Sequence, residues 1–227
     1  MQPSPTQDPR PDPGIVRPDE ADRVYHQLLA WLVDAVLPPG AFLSEPDLAQ
    51  RCSTSRTPVR EACMRLHQDR WLTRFPRKGF LVTPVTVQEI ADLYEYRTLL
   101  EGYAAERAAG SAQPGQIHEL RGLIDLEDAP GTGLAELVRA NEAFHLGLAA
   151  LAGNRRVVDQ LHLVLAFCRR LDTLYLRLDQ TWIPHRDLLA ALERGDGPGS
   201  RQAMAAHLDH SRTDLVRMFG SAAARLP

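Results

Sequence analysis

Residues 38–82 read PPGAFLSEPDLAQRCSTSRTPVREACMRLHQDRWLTRFPRKGFLV, and this stretch decides how the first part of the chain folds. Pro38-Pro39-Gly40 is a break. Ser44-Glu45-Pro46-Asp47 then starts a helix: a Ser cap, Pro in the first turn, and an acid three residues after the cap. That helix is short and runs to about Arg51. Past Cys52-Ser53-Thr54 a second helix opens at Ser55 and runs to about Asp69, burying Val59, Cys63 and Leu66. Two short helices joined by so short a turn read as a helix-turn-helix. Residues 71–75 and 80–82 flank the basic turn Pro76-Arg77-Lys78-Gly79, which predicts two short strands. A hairpin directly after a recognition helix is the wing of a winged helix.

Working outward, residues 1–18 hold six of the 17 prolines and almost no large apolar side chains. Such a segment cannot bury enough surface to offset its ordering entropy, so it is expected to be a flexible arm. From 19 to about 37, Val24, Leu28, Leu32 and Val36 recur every fourth residue and predict a helix. The winged helix-turn-helix is thus expected over 19–84. Beyond Thr83-Pro84 the texture is helical throughout. Helices are predicted near 87–109, 115–128, 133–152, 155–179, 182–194 and 199–219, an all-α bundle of six to seven helices over 85–222. The fold class is therefore mainly α, with one small β-hairpin.

No apolar run approaches the roughly 18–20 residues of a membrane span. The N-terminus has no apolar stretch of the kind that marks a secretory signal, and three scattered cysteines (Cys52, Cys63, Cys168) do not make a disulfide framework. A reduced, cytoplasmic protein is expected. The formal net charge of −3 argues, taken alone, against a nucleic-acid binder. Its distribution argues the reverse. Between Arg51 and Lys78 eight basic residues face only Glu61 and Asp69, so this stretch is +6 and the remainder −9. A local basic face is the footprint of duplex binding, because each neutralised phosphate releases condensed counterions.

With these residues in view, the stretch resembles the winged-helix domain of the GntR family of bacterial transcription regulators. Ser55-Arg56-Thr57-Pro58-Val59-Arg60-Glu61-Ala62 matches that family's recognition-helix signature, and Pro39-Gly40 and Leu43-Ser44-Glu45 fit too. The resemblance implies that Arg56, Thr57 and Arg60 reach bases and phosphates in the major groove. It also implies that Ser55 caps the helix, and that the wing residues Arg77, Lys78 and Gly79 lie along the minor groove and backbone. Val59 and Glu61 are expected to serve packing and helix support. Two departures stand out. Pro46 stands where the family often has Arg, and Arg70 where it favours Gly, a position costing about 1 kcal/mol if φ is positive.

In the helical half, Leu137, Val138, Phe144, Leu148 and Leu151 form an apolar stripe that also carries Asn141 and His145, one turn apart. His185 precedes Leu188 and Leu189 by one turn, and His207 falls between Met204 and Leu208. Three imidazoles and an amide thus point inward from three helices. Each buried polar group needs a partner, and one metal ion would satisfy all three rings; imidazole suits zinc, nickel, cobalt, iron or manganese. Arg97 is the other inward polar residue, read either as one half of a structural ion pair or as a fork for an effector carboxylate. His26, His67, His118 and His162 are off the pattern, and His210 is a spare.

This half resembles the FCD ligand-binding domain of the FadR subfamily. The matching pieces are Tyr96-Arg97-x3-Glu101, Asn141-Glu142-Ala143-Phe144-His145, His185-x3-Leu189-x-Ala191-Leu192, and Met204-x2-His207-Leu208. The resemblance implies a metal held by an Asp and three His. Here His145, His185 and His207 match the histidines and Asn141 stands at the Asp position. The expected protein is a homodimeric transcription regulator, in its commoner mode a repressor, that reads a pseudopalindromic double-stranded DNA operator. Its effector is expected to be a small organic acid, its cofactor a divalent transition metal (zinc, nickel or manganese), and it is not expected to be an enzyme. The alternatives are a metal-free regulator with an apolar or acyl ligand, and a metal-dependent hydrolase. Against the hydrolase, no acid is placed as a general base beside the histidines.

Overall fold

The computed structural model describes residues 19–129, 131–175 and 185–223. The expected arm at 1–18 lies outside them, as do 176–179 and 182–184 of two predicted helices. The chain divides into two compact units: one takes residues up to Ala30 together with Gly40–Thr83, the other Trp31–Pro39 and everything from Pro84.

The first unit contains most of α1 (Glu20–Val33), then β1 (Phe42–Leu43), α2 (Glu45–Arg51), α3 (Arg56–Gln68), β2 (Leu72–Phe75) and β3 (Gly79–Val82). The strands form one antiparallel sheet in the order β1-β3-β2, with Leu43 opposite Phe80 and Phe75 opposite Gly79. β1 is an addition to the sequence reading; two residues carry no alternation to detect. Helix α1 stops about four residues before its expected end, because Ala35 turns left-handed at φ 55°. Val36 consequently lies outside the helix and is 53% exposed, while Val33 is buried.

Ser44 caps α2 as expected: its hydroxyl oxygen accepts the Asp47 N–H at 3.2 Å. Val59, Ala62, Cys63 and Leu66 of α3 are fully buried, whereas Glu61 is exposed and does not pack. The end of α3 is held by two backbone bonds, Arg70 N–H to His67 O (3.1 Å) and Trp71 N–H to Leu66 O (2.9 Å). This is a Schellman ending, accompanied by burial of Trp71 and Leu66. Its left-handed residue is Arg70, at φ 65°. A side chain there meets the steric cost that Gly avoids. Replacing Arg70 with Gly should raise stability by about 1 kcal/mol, a rise of roughly 2–4 °C in melting temperature checked by calorimetry.

The second unit holds α4 (Val87–Ala109), α5 (Pro114–Asp128), α6 (Leu134–Leu151), α7 (Arg155–Tyr175), α8 (Arg186–Glu193) and α9 (Gly197–Ala223). These six helices agree with the expected all-α bundle. Thr86 caps α4 through the Glu89 N–H (3.0 Å). Helix α4 runs through the middle of the unit, packing chiefly on α9 and also on α6, α7 and α8. Its inner face carries Ile90, Tyr94, Arg97, Glu101, Ala104, Ala105 and Ala108. The small residues on that face let neighbouring helices approach closely. A core of Ile90, Phe144, Leu148, Leu188, Met204 and Leu208 closes around it, so that α4, α6, α8 and α9 converge.

Candidate DNA-reading face and histidine centre

In the first unit, Ser55, Arg56, Thr57 and Arg60 are exposed at the start of α3, and Arg77 and Lys78 at the tip of the wing. Ser55 occupies the cap position with extended backbone (φ −83°, ψ 170°), but its hydroxyl makes no capping bond, which corrects the expected role. The first N–H groups of α3 and this hydroxyl present donors at the positive end of a helix, a setting suited to a phosphate. Arg60 is engaged rather than free: Nε and Nη2 donate to the Glu45 carboxylate at 2.7–3.1 Å. Arg60, Arg74, Arg77, Lys78 and Glu45 line a cleft of about 500 Å³ between α2, α3 and the wing.

The wing turn is closed by the Lys78 N–H donating to Phe75 O at 3.1 Å, with Pro76 first and Arg77 second of the central residues. Arg77 sits at φ 64°, where a turn of this kind ordinarily takes Gly. Gly79 follows at φ 110°, and a Cβ there would come within 2.3 Å of the Leu43 carbonyl oxygen. Gly79 thus serves the sheet sterically.

Helix α3 is braced from behind. Tyr25 donates its hydroxyl to Asp69 at 2.7 Å, Arg65 stacks over the Tyr25 ring at 4.2 Å, and Arg65 also pairs with Asp22. His67 bonds the Leu72 carbonyl through Nδ1 (2.9 Å), a structural role in line with its expected place off the pattern.

In the second unit, His145 from α6, His185 at the cap of α8 and His207 from α9 come together. Their ring centroids lie 4.1–5.4 Å apart, and one ligand nitrogen from each falls within 4.8 Å of the others. His145 and His185 are 1% exposed. Their Nε2 atoms stand 3.2 Å apart, and Phe144 stacks on His185 at 4.4 Å. Asn141 lies one turn before His145 on α6 and is part-buried.

Arg97 and Glu101, both buried, sit behind this cluster. Arg97 Nε donates to Glu101 Oε1 at 2.7 Å, and Glu101 Oε2 contacts His145 Nδ1. Arg97 Nη2 approaches His145 Nε2 at 3.4 Å. Burial alone would raise the Glu101 carboxyl, but Arg97 and His145 outweigh it and hold the group at about 2. Burial holds His145 down at about 4, only partly offset by Glu101, and keeps His207 well below the usual imidazole range. The combination is an anionic Glu101 whose carboxylate accepts a hydrogen bond from the Nδ1–H of a neutral His145, whose Nε2 lone pair faces the other rings. Carboxylate–histidine pairs of this kind orient metal-binding imidazoles. His207 Nδ1 is buried and, among the described residues, has no hydrogen-bond partner.

Glu101 entered the sequence reading only within the Tyr96-Arg97-x3-Glu101 match, with no role at the histidines. Its signal was present: four residues after Arg97 on one helix face, the spacing of an ion pair. Of the two readings of Arg97, the structural ion pair is present: one edge of its guanidinium is spent on Glu101. His210 is exposed, with its Nε2 3.7 Å from Asp214, and stands outside the cluster.

Asp172 on α7 is a missed group. Part-buried, it is raised by burial and by Glu142, against the pull of Arg97, to about 7. The folded protein thus holds this proton up to pH 7, while the unfolded chain releases it near 3.8. Stability from this group is complete below pH 3.8 and is lost as pH rises through 7. Asp172→Asn should be more stable than wild type by roughly 1–2 kcal/mol at pH 8 and level with it at pH 4, measured by urea unfolding at both values.

Residues 20–82 match the bacterial regulatory proteins of the gntR family, and residues 92–210 match the FCD domain. The chain belongs to the GntR family of bacterial regulators and carries an FCD domain. An HTH-type transcriptional regulator in an unstable DNA locus of Streptomyces ambofaciens is 30% identical, over 90% of this chain and 91% of the relative. The transcriptional repressor RspR of Escherichia coli is 26% identical, over 82% and 84%. Among solved structures, a GntR regulator from Rhodococcus sp. RHA1 gives a TM-score of 0.69 at 24% identity, covering 86% of this chain and 97% of that one, which shows the shared fold. This GntR protein is a DNA-binding transcription regulator. Among its described residues no helix is long and apolar enough to cross a membrane.

Proposed function

We propose that the protein is a homodimeric, cytoplasmic repressor that binds a divalent transition metal between His145, His185 and His207, and that a small organic acid in that pocket governs its grip on a pseudopalindromic operator. The observation that carries this reading is the meeting of three imidazoles, two buried and one half-buried, from α6, the cap of α8 and α9. The donor set fits a metal ion: His145 is neutral and oriented by Glu101, His207 keeps an orphaned ring nitrogen, and Asn141 offers a carboxamide oxygen one turn away. Imidazole donors favour zinc or nickel over manganese. Without an Asp among the ligands the loaded centre keeps its positive charge, which favours an anion. When bound, the metal supplies a Lewis-acid position for a carboxylate oxygen, and the Arg97 guanidinium beside His145 supplies a second cationic group.

On the DNA side, Ser55, Arg56, Thr57 and Arg60 would meet the major groove, and Arg77 and Lys78 the backbone beside it, with Gly79 keeping the wing in shape. The dimer is supported by an apolar stripe on α4, where Leu99 is 62% exposed and Tyr96 and Tyr103 flank it. Leu163 of α7 is also exposed, and Tyr96 bonds Gln160 across to α7. A repressing sign agrees with the name of the relative RspR.

The test is a panel of hydroxy acids, sugar acids and amino acids added to zinc-loaded protein on the duplex it selects from a random pool. One acid class should weaken binding by about tenfold, and should fail to do so on His185→Ala. An acid acting equally on both proteins, or wild-type protein that takes up neither zinc nor nickel, would sink the metal-pocket reading.

A further inference from the structure

We infer that Glu45 is a specificity-determining residue: it clamps the inner edge of the Arg60 guanidinium so that only the outer edge of that fork meets DNA. The inference rests on the assignment of α3 as the DNA-reading helix and adds a residue from α2 to the reading machinery. Glu45 is the first residue of α2 and Arg60 lies on the second turn of α3. Three contacts join them: Arg60 Nε to both carboxylate oxygens (3.0 and 3.1 Å) and Nη2 to Oε2 (2.7 Å). The Glu45 side chain is 20% exposed while Arg60 is 65% exposed, so the acid is the seated partner and the cation the presented one.

A guanidinium offers two forks, one built on Nε and Nη2, the other on Nη1 and Nη2. Glu45 occupies the first, and among the described residues nothing bonds Nη1. The remaining fork has the two parallel N–H groups that match guanine O6 and N7. An unclamped arginine is a long flexible cation that any phosphate can capture. Clamped, it is a preoriented reader whose ordering cost is met before DNA arrives. Glu45 has a second effect. It is the one acid among the residues lining the basic cleft, facing Arg60, Arg74, Arg77 and Lys78. A carboxylate there repels the phosphates of every sequence alike, so it lowers the background against which the operator is recognised.

The experiment compares two duplexes of equal length: the one that wild-type protein enriches from a randomised pool, and a random-sequence control. Glu45→Gln should bind the enriched duplex about tenfold more weakly and the control as well as wild type or better. Arg60→Ala should lose a similar factor on the enriched duplex, and the double variant should lose no more than Arg60→Ala alone. Additive losses, or an unchanged ratio between the duplexes in Glu45→Gln, overturn the assignment. If Glu45→Gln melts early, Arg60→Lys replaces it: charge is kept and the fork is lost, so discrimination should fall with control binding unchanged. Retained discrimination in Arg60→Lys also overturns it. Failure of wild-type protein to enrich any sequence is a different result, removing the assignment of α3 itself.

Discussion

Zinc or nickel in large excess should raise the melting temperature of the wild-type protein by roughly 8–16 °C, and His207→Ala should abolish most of that rise. The magnitude follows from linkage. A ligand present at a thousand times its dissociation constant stabilises the folded state by about 4 kcal/mol, and each kcal/mol moves the midpoint of a chain this size by about 2–4 °C. The geometry explains why His207 is the position to remove. Its Nδ1 is already without a partner among the described residues, so truncation deletes a donor without stranding another group. His145→Ala would be harder to interpret, since it would leave the Glu101 carboxylate buried beside Arg97 with one of its two partners gone. Glu101→Gln provides the graded control: second-shell losses of this kind cost about 10–100-fold in metal affinity, so a smaller rise is expected at equal zinc. Differential scanning fluorimetry across a zinc titration reads all three proteins. A rise in His207→Ala equal to wild type would show that the metal sits elsewhere.

Gly79→Ala should destabilise the winged-helix unit by about 2–4 kcal/mol and cost most of the operator affinity. Two independent penalties coincide at this residue. Its φ of 110° is one that L side chains rarely adopt, and the added methyl would stand 2.3 Å from the Leu43 carbonyl oxygen, a backbone atom that cannot rotate away. Relief requires β3 to move from β1, breaking the pairing of Leu43 with Phe80 and tilting the wing that carries Arg77 and Lys78. Circular dichroism melts together with binding to the selected duplex check both halves. A variant that melts with wild type would mean that the wing turn has another conformation in solution.

Much of the first unit could be read directly because its signals are local. Ser44, three residues before Asp47, marks a helix start whatever surrounds it, and Val59, Cys63 and Leu66 fix the buried face of α3 by spacing alone. The left-handed Arg70 was raised on another ground, the glycine that the resembled family favours at this position. Local signals also misled. Val36 continues the four-residue period of α1, but the helix yields at Ala35 and the period runs on without a helix beneath it. The histidine centre was legible as a set of inward positions, since each imidazole sits in its own apolar stripe. What linear spacing does not carry is contact between distant elements. Glu101 meets His145 across 44 positions and Glu45 meets Arg60 across two helices, pairs that form only when the helices have packed.

Three turns of the DNA-reading unit place an ordinary side chain in the left-handed region: Ser53 between α2 and α3, Arg70 between α3 and the wing, and Arg77 at its tip. Each forgoes about 1 kcal/mol that a glycine would recover. Segments that open most readily in a native protein are those with the least local free energy in reserve. A reading head hinged at three such turns fluctuates through local opening on a scale that glycine-turned versions of the same sequence would suppress. The reserve that glycine would restore at these turns is stability that the recognition helix and wing do without.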